Sequence, residues 1–155
     1  MHMRTFATTL ALSLVMAASA QNYSDLVELV RSDLRTEKQA IVLSSLQLTE
    51  PQSALFMPIY DEYNTAMKSH WDKKIQLIKD YGAKYQTMND ETAASLMGRM
   101  NKLEAEGAKI RTTYTKKVAK VLPTTIAARW NQVERRIAML IDLQIADEVP
   151  LMPTK

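Results

Sequence analysis

Histidine and cysteine supply most protein metal sites and much nucleophilic catalysis, and this chain has almost none of either. Its 155 residues include no cysteine and two histidines, His2 and His70. Zinc and copper sites take three or four nitrogen or sulfur ligands. His70 and Asp72 lie two apart and so point to different faces of any helix, while Lys73 and Lys74 make the neighbourhood of His70 cationic. Met97 and Met100 share a helical face and offer thioethers that suit Cu(I), but a core or binding-surface role fits them better. Glu104 with Glu106, and Asp90 with Glu91, read as solvated helix surface. There is no G-x-S-x-G, no phosphate loop and no Ser–His–Asp set, and glycine is too rare for a cofactor cradle. Neither an enzyme, a metal site nor a cofactor is expected.

Binding is the chemistry that is left. Met67, Trp71 and Lys74, followed by Met97, Arg99, Met100 and Arg111, mix adaptable apolar side chains with long cationic ones. Such a mixture accepts varied protein partners, because charge draws acidic segments in and apolar groups hold them weakly. The competing reading places Met67, Trp71 and Met100 in a core seam, with the basic side chains simply solvated. Charges of both signs are interspersed along the chain, which argues against a nucleic-acid partner.

Helices must position these side chains. Three glycines and five prolines, with abundant Ala, Leu, Met, Lys, Glu and Gln, are a helical composition. A first helix is predicted from about Asp25 to Leu46, with Ser24 as its cap and Val27, Val30, Leu34, Ile41 and Leu48 on one stripe. Thr49 caps a second helix, and Gln52 completes a capping box around Pro51. That helix runs to about Gln86 on a seam of Phe56, Tyr60, Tyr63, Met67, Trp71, Ile78, Tyr81 and Tyr85. Pro58 should kink it near Met57 or Ala54. After Thr87–Asp90, with Asn89 or Asp90 as cap, a third helix carries Ala93, Leu96, Met100, Leu103, Gly107, Ile110, Tyr114, Val118 and Val121. Gly107 either admits a neighbouring backbone or marks a flexible point. Leu122-Pro123-Thr124 breaks the chain again. The fourth helix, about Thr125 to Asp147, buries Ile126, Trp130, Val133, Ile137, Leu140 and Ile141, and an extended apolar tail follows from Glu148. The two middle helices exceed 30 residues, or roughly 45–55 Å at 1.5 Å per residue. A tight turn joins them, so an all-α fold of four helices with a long antiparallel central hairpin is expected. So thin an arrangement buries little surface alone, which points to a homodimer.

The first twenty residues read as a cleavable export signal. Arg4 is their one charge, Phe6–Met16 is a short apolar run, and Ala18-Ser19-Ala20 gives the small-x-small pattern, so cleavage is expected after Ala20. The run is about half of what crosses a bilayer, and no cysteine follows to carry a lipid. A single domain is expected over 21–155, with 19 basic against 17 acidic residues.

Two helix starts echo one another. Ala54, Phe56 and Ile59 stand at +6, +8 and +11 from Leu48, and Ala128, Trp130 and Val133 stand at the same offsets from Leu122. Similar packing needs at two helix starts would account for this, as would a repeat. Leu48-Thr49-x-x-Gln52 resembles the LTxxQ motif of the Spy/CpxP family of periplasmic proteins. The second copy departs from it, with Pro123 in place of the frequent Thr and Ile126 in place of Gln. Segments such as Asp33–Lys38, Leu77–Tyr81 and Leu140–Ala146 look like those of a set of exported bacterial proteins related to that family. The resemblance implies a periplasmic, cradle-shaped homodimer of four-helix chains. It also implies ATP-independent chaperone activity or a part in envelope stress. A dedicated adaptor that docks on one envelope partner, such as a sensor kinase or membrane complex, is the alternative, motivated by the apolar tail Val149–Pro153.

Overall fold

The computed structural model describes residues 37–154. The predicted export signal and the first part of the predicted first helix lie outside the described residues. The remainder is all-α: α1 (residues 37–46), α2 (Glu50–Lys84), a 3₁₀ turn (Tyr85–Thr87), α3 (Asp90–Val121) and α4 (Thr124–Glu148). Among the described residues there is no strand.

Each boundary has a local cause. Gln47 adopts a left-handed φ of 50° and turns the chain sharply out of α1. Thr49 is extended, and the Gln52 side chain accepts its N–H at 3.0 Å, one half of a capping box. Pro51 sits in the first turn, where its missing N–H costs nothing. Of the two candidate caps for α3, Asn89 holds the place: its side chain accepts from the Thr92 amide at 2.8 Å. Pro123 begins α4 through its carbonyl, which accepts from Ile126 and Ala127 at 2.9 and 3.3 Å. The helix α2 continues through Pro58, and both Pro58 and Ala54 are exposed. Water can therefore reach the carbonyl that the proline leaves without an amide.

Three ion pairs connect α2 to α3: Glu62–Lys117, Lys73–Glu106 and Asp80–Arg99, each at 2.6 Å. Numbers rise along α2 as they fall along α3, the order of two helices passing in opposite directions. Apolar packing divides along this axis. At one end all four helices contribute, with Val42, Leu46, Phe56, Tyr60, Tyr63, Met67, Val118, Leu122, Ala127, Trp130 and Ile137 buried together. Trp130 meets Phe56 and Tyr63 edge-on, with ring centroids 5.4 and 5.0 Å apart. Such edge-to-face pairs add to what burial alone contributes. At the other end only α2, α3 and their connection pack, around Leu77, Met88, Leu96 and Leu103.

Several seam positions differ from the sequence reading. In α1, Val42 and Leu46 are buried while Ile41 is 43% exposed, so the stripe lies one residue over. Val121 is also 43% exposed, because the chain leaves α3 there and Leu122 turns inward instead. In α4 Leu140 is 63% exposed, since the inward row follows Ala127, Trp130, Glu134, Ile137 and Ile141. The paired small residues Ala54 and Ala128 are both exposed and do not share a face with Phe56 and Trp130. Two residues along a helix is a rotation of about 200°. The paired aromatics do meet, in the contact just described.

Candidate protein-binding surface

The seven side chains that the sequence assigns to a binding surface are dispersed. Met67 is 5% exposed and belongs to the four-helix core, against which Trp71 packs half-buried. Met100 packs against the smaller core. These three take the core-seam alternative. Lys74 is committed twice: it pairs with Asp142 of α4, and its ammonium lies 5.1 Å from the Trp71 ring centre. Arg99 is held by Asp80, whose carboxyl is kept below its usual range first by that hydrogen bond and then by one from Gln76. Arg111 is half-buried, beside Gly107. Met97 is the one apolar side chain of the seven that stands open, at 62% exposure.

Exposed apolar side chains gather elsewhere. Met139, Leu140 and Leu143 are 61–67% exposed on the second half of α4. Steps of three and four place them on one outward stripe, bounded by Arg136 before and Asp147 after. Beyond the helix, the Tyr81 hydroxyl donates to the Pro150 carbonyl at 2.9 Å and ties the tail to α2. Leu151 follows at once and is 90% exposed. The geometry offers adaptable apolar contact next to cations, with no enclosed pocket needed. Sequence reasoning assigned Leu140 to the core and passed over Met139 and Leu143; the signal was a second apolar row on α4, offset from the one through Trp130.

The four-helix core also holds a buried polar cluster that spacing rules overlooked. Glu134 is 5% exposed; Lys38 of α1 reaches it at 3.0 Å and the Tyr63 hydroxyl donates to it at 2.7 Å. Burial, and then the charge of Glu134, push the Tyr63 phenol far above its ordinary range. It is therefore a donor at any physiological pH. The same causes raise Tyr60. A carboxylate inside an otherwise apolar 3–4 row was the available clue.

His70 is also buried, at 6% exposure. Its ring fills the space that Gly107 leaves: a Cβ there would lie 3.0 Å from Nε2 and 3.1 Å from Cε1. The glycine thus admits a side chain, where the sequence suggested a backbone or a flexible point. Burial pulls His70 below its usual range; Glu106 opposes this, and Lys74, Arg111 and Lys73 reinforce it. Its Nδ1, like Trp130 Nε1 and Glu134 Oε1, has no hydrogen-bond partner among the described residues.

Among the described residues no three His, Cys, Asp or Glu side chains cluster to hold a metal, and no helix is long and apolar enough to cross a membrane. No protein-family model, curated protein or solved structure matches the chain.

Proposed function

We propose that this chain is an exported, ATP-independent binding protein of the periplasm. It acts as a homodimer and holds unfolded or partner proteins, in the manner of the Spy/CpxP family that its LTxxQ-like helix start resembles. The observation that carries the reading is the stripe of large apolar side chains left open on α4, Met139, Leu140 and Leu143, one turn from the exposed Arg136. A soluble chain does not ordinarily leave such a cluster open unless it meets another surface. The leader, with its charged start and small-x-small end, supports the compartment. The purified protein should suppress aggregation of several unrelated chemically denatured clients at near-stoichiometric ratio, read by light scattering. Failure with every client would sink the holding activity.

The tail favours a second reading. Anchored at Pro150 and open at Leu151, it presents a fixed apolar point that a single envelope partner would engage. Crosslinking in intact cells separates the two. A holding protein gives many partners, and a dedicated adaptor gives one dominant band.

A further inference from the structure

The outward stripe of α4 has a polarity. It reads Arg136, then Met139, Leu140 and Leu143, then Asp147. Arg136 and Asp147 are exposed, and among the described residues neither has an ion-pair partner. Leu140 with Leu143, and Arg136 with Asp147, are placed symmetrically about one midpoint of the helix. A second copy laid along this stripe in the opposite direction therefore sets Leu140 against Leu143 of the partner subunit. In the same register Arg136 faces Asp147 of the partner subunit. Both contacts occur twice, once on each side of a two-fold axis, as a self-complementary interface requires.

The end of α4 adds an independent reason. Its last turn holds Asp147 and Glu148 and no basic residue. A helix C-terminus carries partial negative charge and favours cations. An arginine brought there by a second copy would complement that charge.

We infer that the Arg136–Asp147 stripe of α4 is the surface through which two copies of this chain pair, antiparallel and in this register. The inference rests on the dimeric reading above and names its surface. The apolar patch is small beside the roughly 1,200–2,000 Å² that specific interfaces bury. The dimer is accordingly reversible and concentration-dependent, so a second copy and client proteins share the stripe and compete for it.

Sedimentation equilibrium of the purified protein provides the test. The wild-type chain should dimerise reversibly, and more weakly as salt rises. Arg136→Glu and Asp147→Arg should each weaken the dimer by about tenfold or more, since each sets like charges face to face. The double exchange should restore most of the affinity, and Leu143→Asp should abolish it. All these positions are exposed, so far-UV circular dichroism should be unchanged. The salt series needs no variant and stands if one misfolds. A dimer indifferent to both the charge exchange and salt overturns this surface and leaves the dimeric reading intact. A monomer at every concentration removes both. Client holding is read by scattering, so its outcome is separate.

Discussion

Gly107 shows how one missing methyl decides what its neighbour does. Alanine in a helix interior normally gains up to about 1 kcal/mol over glycine. At Gly98 and Gly82 an added Cβ meets nothing within 4 Å. Gly98→Ala should therefore stabilise the chain by roughly 0.5–1 kcal/mol, read as a higher urea midpoint. At Gly107 the Cβ would press on the buried His70 ring at 3.0 Å, so Gly107→Ala should destabilise by about 1–3 kcal/mol. A stabilised Gly107→Ala variant would show that the ring moves aside freely. His70 also predicts a pH effect. Its folded form resists protonation, whereas the unfolded chain takes up a proton near the ordinary value of 6.5. The unfolded state thus binds more protons below that pH, and stability, full above it, falls as the solution becomes acid. Glu106 and Asp80 are lowered from 4.5 and 3.8, so their contributions are lost only in stronger acid. Thermal midpoints should drop between pH 7.5 and 5.5, and His70→Gln should flatten that slope.

Helix boundaries were the most legible feature of the sequence, because caps and breakers act locally. Thr49 with Gln52, Asn89, and Pro123 each sit where the text of the chain puts a start. Asn89→Ala removes the acceptor for the Thr92 amide and should cost about 1 kcal/mol by chemical denaturation, with no loss of the fold. What lies inside the helices was read less well. The seam of α3 was legible from Ala93 to Val118, since its 3–4 intervals hardly waver. In α2 and α4 the inward row passes through His70 and Glu134, which apolar periodicity passes over. Their partners, Gly107 for the one and Lys38 with Tyr63 for the other, come from different helices, and local spacing carries no such information. The same limit explains the binding surface. Met67, Trp71 and Met100 have the residue types of a sticky face, but which side of a long helix is covered depends on where its neighbours lie. Once Glu134 is inside, its removal is costly: Glu134→Ala leaves the Tyr63 hydroxyl without its acceptor and the Lys38 ammonium without its counter-charge, and should destabilise by about 3 kcal/mol.

At the scale of the molecule, the division into two cores predicts uneven stability. Four helices enclose the Trp130 end, while the Leu77–Leu103 end rests on two helices and their turn. Local opening follows the density of buried contacts. Amide hydrogen exchange should therefore be faster in 77–103 than in 114–137. Equal protection throughout would mean that the ion pairs Asp80–Arg99 and Lys73–Glu106 hold the narrow end as firmly as apolar packing holds the wide one. The wide end also carries its own optical gauge. Tyr60 and Tyr63 stack near one another and face the Trp130 indole edge-on at 6.4 and 5.0 Å, so light absorbed by the phenols is handed to a single buried emitter. In a Trp71→Phe background that transfer would dim when the four-helix end opens, so its unfolding can be followed by the colour of the Trp130 emission, because the narrow end holds tyrosines and no tryptophan.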